Sequence, residues 1–177
     1  MRTPLQRGLA AILLAGAITA GGCGSDDPEP PQPPPPTLIE AKIAAAADVN
    51  PDVDGTPAPV VIRLYELAAD TAFANADFFQ LHDDDAAVLG TELIARSEHV
   101  LVPGETIMIA KTVPGDVRLL GATAAYQAIE TASWRALLPV PANRTTTLTL
   151  AAHRLALSFE DVTSFDPSEP DKKRGKK

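Results

Sequence analysis

The chain contains a single cysteine, Cys23, and a lone thiol cannot form a disulfide within one chain. Three small residues, Ala20, Gly21 and Gly22, directly precede it. This pattern resembles a bacterial lipobox, in which the thiol is acylated and the chain is cut before it, although Ala20 stands where leucine is usual. A catalytic thiol is disfavoured because no histidine is near it in the sequence. We predict that Cys23 carries a lipid anchor, with a free thiol as the alternative.

The other residues that could take part in catalysis or metal binding do not form a recognisable active site. The densest group of potential metal ligands is His82-Asp83-Asp84-Asp85, but successive residues at a helix end point in different directions. His99 and His153 are isolated, and the chain has neither a GxSxG motif nor a glycine-rich phosphate loop. We therefore predict a protein that is not an enzyme and that has no metal, no cofactor and no small-molecule substrate.

Residues 1–22 have the composition of an export signal. Arg2 and Arg7 are positively charged, and residues 9–20 form an apolar run of twelve residues. As a helix this run would rise about 18 Å, which is too short for a hydrocarbon core of about 30 Å. The pattern predicts a lipoprotein signal peptide over residues 1–22, with a buried N-terminal helix as the alternative.

Residues 23–36 follow as a proline-rich linker, with seven prolines in the twelve residues 25–36. Such a run favours polyproline II and has few backbone donors for a sheet or helix. At about 3.1 Å per residue it can hold a domain about 40 Å from its anchor.

The remaining chain reads as a β-sandwich with a net acidic character. In residues 60–67 the alternation places Val60, Ile62 and Leu64 on one face, which is typical of a half-buried strand. Pro-Gly pairs at 103–104 and 114–115 predict turns, and Gly121 predicts close sheet-on-sheet approach or a bulge. The formal net charge of −8, without a basic stripe, argues against nucleic acid as a partner.

Residues 70–90 interrupt the strand pattern and predict a small helical insertion. Asp70 or Thr71, Asp77 and Asp85 are candidate helix starts, and Gly90 is a candidate stop. We expect its apolar residues to cap one end of the sandwich; they are Phe73, Phe78, Phe79 and Leu81. The fold prediction is an all-β, two-sheet sandwich of seven or eight strands over residues 37–160, followed by a charged, disordered tail over residues 161–177.

Five segments in this order resemble one known family: VVIRLYEL, FANADFFQLHDDDAAVLG, VLVPGETIMIA, LLGATAAYQ and WRALLPVP. Together they are similar to the TssJ (VasD-type) lipoproteins of the type VI secretion system, from about residue 37 to residue 159. The resemblance implies a transthyretin-like sandwich anchored to the outer membrane and facing the periplasm. It also implies binding to the periplasmic domain of the inner-membrane protein TssM, and therefore a structural role in the membrane complex.

In that family the contact runs largely through the loop between the first two strands, which here spans residues 48–59. Long exposed loops on a rigid sandwich are commonly functional. The resemblance therefore implies a partner-binding loop of ten residues, which are Asp48, Val49, Asn50, Pro51, Asp52, Val53, Asp54, Gly55, Thr56 and Pro57.

Two other functions fit a lipid-anchored sandwich. A free-standing lipoprotein that binds a ligand or carbohydrate would need exposed aromatic faces, and the chain has one Trp and two Tyr. An enzyme on the same fold would need histidines and arginines gathered in a cleft, whereas the histidines are scattered in the sequence.

Overall fold

The computed structural model describes residues 33–168. The predicted signal peptide, Cys23, most of the linker and residues 169–177 of the predicted tail lie outside this part. The described elements are β1 (Thr37–Ala45), β2 (Val60–Leu67), α1 (Thr71–Asn75), α2 (Phe78–Leu89), a 3-10 turn (Gly90–Glu92), β3 (Leu93–Leu101), β4 (Thr106–Val113), β5 (Leu119–Ala125), β6 (Arg135–Pro139), β7 (Thr145–Ala152) and β8 (Leu157–Phe165).

The eight strands form two four-stranded sheets, in the orders β4-β1-β7-β8 and β3-β2-β5-β6. Neighbouring strands are antiparallel except for β1 and β7, which are parallel. The prediction of an all-β, two-sheet sandwich with a small helical insertion is confirmed.

The main core lies between the two sheets and follows the period-2 alternation of the strands. Val60 and Ile62 of β2 are fully buried there, as are Ile43 of β1 and Leu150 of β7. Removing each such side chain from water contributes about 1.5–3 kcal/mol, so this interior supplies most of the drive to fold.

The helical insertion does not cap an end of the sandwich but covers the outer face of the β3-β2-β5-β6 sheet. Because side chains alternate along a strand, Tyr65 and Leu67 of β2 point away from the main core. They join Phe73, Leu81 and Leu89 of the two helices in a second apolar cluster. With the insertion on its outer face and the second sheet on its inner face, β2 has buried apolar residues on both of its faces.

Gly121 serves this second cluster rather than sheet-on-sheet contact. A Cβ at this position would lie 2.8 Å from Cζ of Phe73 and 3.0 Å from Cδ1 of Leu67. The residue pairs in regular register with Tyr65 and Leu137, so neither neighbour shows a bulge there. The glycine leaves room for the Phe73 ring to rest on the sheet.

The helix starts differ from prediction at one of three positions. Asp77 caps α2 as predicted: its carboxylate accepts from the Gln80 amide, and the Gln80 side chain accepts from the Asp77 amide, both at 2.9 Å. The third start is at Asp84, where α2 kinks (φ −150°, ψ 61°) and the carboxylate accepts from the Ala87 amide. Asp85, predicted as that start, is buried instead.

The sandwich also ends later than predicted. Strand β8 continues to Phe165, five residues beyond the expected boundary at residue 160, because its second half pairs with the first half of β7. The expectation of disorder from residue 161 is therefore wrong for residues 161–165.

Strand directions give the domain two distinct ends. The β1–β2, β3–β4, β5–β6 and β7–β8 connections all lie at one end, which we call the loop end. The linker enters β1 at the opposite end, which we call the linker end, where β8 also finishes. The nine residues of β1 separate the two ends by roughly 30 Å.

Candidate functional site

The β1–β2 connection at the loop end has a buried base. Val49, Asn50 and Pro51 are all buried, and Val49 belongs to the main core. The Asn50 amide nitrogen Nδ2 donates to the Pro59 carbonyl at 2.7 Å, and its Oδ1 accepts from the Gln127 amide at 2.7 Å. The first bond joins the two ends of the loop, and the second joins the loop to the β5–β6 connection.

The backbone of Asn50 is part of the same attachment. Its φ of 49° lies in the left-handed region, which asparagine tolerates better than most residues. Its amide donates to the Arg154 carbonyl at 3.0 Å, which joins the loop to the β7–β8 turn. Asn50 therefore holds three connections of the loop end together.

The tip of the loop is a compact turn organised by Asp52. Its carboxylate oxygen Oδ1 accepts from the amides of Asp54 and Thr56, both at 2.9 Å. The Asp52 amide donates to the Thr56 carbonyl, and the Gly55 amide, at a φ of 83°, donates to the Asp52 carbonyl. This network fixes the tip in one conformation, with the Val53 side chain fully exposed at its apex.

The adjoining β3–β4 turn widens the surface around the tip. The Gly104 amide donates to the Ala46 carbonyl at 3.2 Å, so the two connections are in contact. Val100 and Val102, at the end of β3 and in this turn, are more than half exposed. The two connections also carry the exposed or partly exposed carboxylates of Asp48, Asp54 and Glu105, so the loop end combines apolar and acidic side chains.

The ten predicted loop residues therefore fall into two groups. The three buried residues support the loop and do not present side chains to a partner in this structure. The other seven are exposed or partly exposed, and they are Asp48, Asp52, Val53, Asp54, Gly55, Thr56 and Pro57. Cys23, the predicted anchor, lies outside the described residues.

A charged cluster that the sequence did not suggest fastens the helical insertion to the sheet. Buried Asp85 pairs with Arg96 of β3, and Arg63 Nη1 lies 3.8 Å from the same carboxylate. Arg63 Nη1 also donates to the carbonyls of Leu81 and His82. The sequence does contain a signal for this cluster: Arg63 lies on the otherwise apolar outer face of strand β2. An arginine there needs hydrogen-bond acceptors from the element that covers that face.

Glu98 completes this cluster at the surface. Arg63 Nε donates to its carboxylate at 2.7 Å, and this hydrogen bond lowers the pKa of Glu98. The cluster is accounted for by packing of α2 on β2 and β3, so its charges serve the fold.

The residues that would support other functions lie apart. His82 stacks on Phe78, His99 lies beside Ser97, and His153 pairs with Glu160 at 2.7 Å. Within residues 33–168, no three His, Cys, Asp or Glu side chains are grouped to hold a metal ion. None of the helices described there is long and apolar enough to cross a bilayer.

The aromatic residues do not form an open sugar platform. Tyr65 and Tyr126 are buried, and burial raises the pKa of both phenols. Trp134 lines a shallow groove of about 280 Å³ with Phe78 and Phe79, but the Arg135 guanidinium lies 4.9 Å from its ring centre and Phe78 packs against it at 5.4 Å. Neither tyrosine is open to stack on a sugar ring, and the Trp134 ring already contacts Phe78 and the Arg135 guanidinium.

Comparison with protein families matches residues 37–155 to the family T6SS-SciN, described as Type VI secretion lipoprotein (VasD, EvfM, TssJ). This range begins at β1 and includes both the candidate loop and the helical insertion. Comparison with curated protein sequences found no significant match.

Solved structures agree with the family match. The T6SS lipoprotein TssJ1 from Pseudomonas aeruginosa is 38% identical, with a TM-score of 0.69 over 77% of this chain and 100% of that one. Serratia marcescens Lip, a membrane-bound component of the type VI secretion system, is 28% identical, with a TM-score of 0.63 over 68% and 94%. A chain of the structure of the T6SS protein TssM C-terminal domain from EAEC matches at 23% identity and a TM-score of 0.57 over 68% and 98%, which shows the fold alone.

Proposed function

This chain belongs to the type VI secretion lipoprotein family (TssJ, VasD), and we propose that it is a non-enzymatic tether of the secretion membrane complex. In this proposal, acyl chains on Cys23 hold the outer membrane from the periplasmic side. The loop of residues 48–57 binds the periplasmic domain of the inner-membrane protein TssM.

The observation that carries the proposal is the construction of the loop. Its base is fixed by Asn50 and its tip by Asp52, yet Val53 at the apex is fully exposed. An exposed apolar side chain on an ordered loop gains nothing for the fold, whereas a preordered loop loses little conformational entropy on binding. This arrangement favours a binding role for the tip.

The position of the loop supports the same role. The linker enters at one end of the sandwich and the loop lies at the other, roughly 30 Å away along β1. A linker of about 40 Å would add to this distance. An anchor at Cys23 would thus be joined to the domain at the end opposite the loop, which leaves the loop end accessible to a periplasmic partner.

The loop assignment is tested by Val53→Asp, with Met108→Asp as the matched control. Both side chains are largely exposed, but Met108 lies on the outer face of the β4-β1-β7-β8 sheet. We expect at least tenfold weaker binding of the TssM periplasmic domain by Val53→Asp, since a charge would enter an apolar contact, and unchanged binding by Met108→Asp. Both variants should melt within about 2 °C of the wild type because neither side chain is packed. Wild-type affinity of Val53→Asp would overturn the assignment.

The anchor is tested separately by Cys23→Ser. This variant removes the thiol that the proposal requires for acylation, and we expect an uncut precursor and loss of the acylated form from outer-membrane fractions. Normal processing and unchanged fractionation would remove Cys23 from the proposal while leaving the loop assignment standing.

A further inference from the structure

The outer faces of the two sheets differ in what covers them. Helices α1 and α2 pack on the outer face of the β3-β2-β5-β6 sheet, whereas the described elements leave the outer face of the β4-β1-β7-β8 sheet open. A hollow of about 500 Å³ lies on this open face, and all four strands line it. This volume is within the range of about 300–1,000 Å³ that is usual for binding sites.

Strand register arranges the side chains of the hollow in two rows. In the first row, Lys42 of β1 pairs with Met108 of β4 on one side and with Thr149 of β7 on the other. In the second row, Glu40 of β1 pairs with Ala110 of β4. Residues two apart on one strand share a face, so the two rows lie about 7 Å apart. A positive and a negative charge are therefore separated by one repeat of an extended chain.

A β-bulge in β8 adds a second carboxylate to the hollow. The pairing of β7 with β8 shifts register between Thr147 and Thr149, and Asp161 lies in this bulge with a φ of 50°, in the left-handed region. Bulges redirect side chains, and Asp161 is exposed and lines the hollow. The hollow is thus lined by one basic and two acidic residues.

Other described residues do not neutralise these charges. Within residues 33–168, Lys42 and Asp161 form no ion pair, and the Glu40 carboxylate accepts a single hydrogen bond, from the Thr147 hydroxyl at 3.3 Å. Beside them, Met108 is 74% exposed, and its flexible thioether side chain adapts readily to an apolar partner. An occupant that complements the hollow therefore needs both signs of charge and an apolar part.

We propose that this hollow binds an extended peptide segment of a partner, in which an acidic and a basic residue are two positions apart. Such residues lie on the same side of an extended chain about 7 Å apart, which matches the distance between the two rows. The acidic residue pairs with Lys42 and the basic residue with Glu40 and Asp161, while the apolar stems of these side chains cover Met108. This site is separate from the loop of residues 48–57 and does not depend on the function proposed for that loop.

The test uses the full chain with its two methionines, Met1 and Met108, labelled with carbon-13 at the ε-methyl groups. The Met108 resonance, assigned with Met108→Leu, reports on the hollow directly. The probe is the capped peptide Ala-Glu-Ala-Lys-Ala, and we expect a saturable shift of this resonance at millimolar peptide. The capped control peptides Ala-Glu-Ala-Glu-Ala and Ala-Lys-Ala-Lys-Ala should give no saturable shift, because each meets at least one like charge.

Charge reversal in the protein tests the two rows. Lys42→Glu should weaken binding of the probe at least about fivefold, because an ion pair is replaced by repulsion. The double variant Lys42→Glu with Glu40→Lys should recover most of the affinity, since the exchanged charges accept the same peptide in the opposite chain direction. Both positions are exposed, so both variants should melt within about 2 °C of the wild type.

Three results would overturn the proposal. They are the absence of a saturable shift with the probe, equal affinity for the like-charged control peptides, and wild-type affinity in Lys42→Glu. None of them bears on the loop, whose role is tested independently by Val53→Asp.

Discussion

The two long connections that flank β2 differ in how much of their chain packs against the domain. Residues 46–59 lead into the strand and expose their tip, whereas residues 68–92 lead out of it and fold into helices against the sheet. The first contributes Val49 to the main core and exposes Val53; the second buries Phe73, Leu81 and Leu89.

The difference lies in what stabilises each connection. The helical insertion is held by apolar burial and by ion pairs to the buried carboxylate of Asp85, so changing it alters the stability of the whole domain. The loop is held by hydrogen bonds from Asn50 and Asp52, which fix a conformation while leaving the tip free. Length alone therefore does not identify a functional loop, and the binding role proposed for residues 48–57 rests on the ordered, exposed tip.

The largest effect is expected from Phe73→Ala in the insertion. Phe73 is fully buried and packs its ring edge-on against Tyr65 at 5.3 Å. We expect the free energy of unfolding to fall by about 3–5 kcal/mol in chemical denaturation. Phe79→Ala, whose ring is more than half exposed, is the control and should cost less than about 1 kcal/mol. Equal stability of the two variants would show that the insertion does not stabilise the sheet.

A smaller loss is expected from Gly121→Ala, which sharpens the same point. The added methyl group would overlap the Phe73 ring, and overpacking of this kind costs about 1–3 kcal/mol. The double variant Gly121→Ala with Phe73→Leu should lose less free energy of unfolding than the sum of the losses of the two single variants. Gly115→Ala, where a Cβ meets nothing within 4 Å, is the control. Strictly additive losses would contradict direct contact between the two positions.

For the loop, Asn50→Ala should affect stability and binding together. It removes two hydrogen bonds and places alanine at a positive φ, which we expect to cost about 1–3 kcal/mol. Affinity for TssM, measured on the folded protein at low temperature, should also fall because the tip loses its fixed position. Asn143→Ala, at a similar φ of 59° at the linker end, should leave affinity unchanged. Undiminished affinity in Asn50→Ala would mean that order in the loop does not matter.

The smallest effect concerns Glu98 and the charge cluster beneath the insertion. Because the pKa of Glu98 is lowered in the folded protein, its contribution to the free energy of unfolding is fully present above the ordinary pKa of glutamate. This contribution is lost as the pH falls through the lowered pKa. The carboxylate is half exposed, so the contribution is only about 0.2–1 kcal/mol. The wild type should therefore be more stable than Glu98→Gln at pH 7, and this difference should shrink as the pH falls through the lowered pKa of Glu98. A difference independent of pH would place the effect outside this ion pair.

Sequence reasoning succeeded where the signal is local. The alternation in residues 60–67 gave β2 with its observed bounds, and the Asp77 cap was found because a capping box involves only nearby residues. It fails where a residue's position depends on contacts with residues that are distant in the chain. The sequence patterns predict an insertion at one end of the sandwich, a helix start at Asp85, and a sheet-on-sheet contact or bulge at Gly121. All three are wrong because each depends on how α1 and α2 meet the outer face of β2.

The candidate loop shows the same division. Its existence and length follow from the prolines, glycine and carboxylates of residues 48–59, which cannot continue either strand. Which of its residues support it and which are displayed could not be read from that composition. Asn50 is bonded to Gln127 and Arg154, which are 77 and 104 positions away in the chain.

By itself the sequence determined a lipobox-like cysteine, a proline linker, an all-β sandwich and a helical insertion, because each is a property of neighbouring residues. Only the tertiary structure decided that Val53 is displayed while Val49 is buried, that Asp85 of α2 is buried and paired with Arg96 of β3, and that β8 ends at the same end of the domain at which β1 begins. The reason is physical: composition and periodicity specify which face of an element is apolar, whereas strand register and packing specify what that face meets.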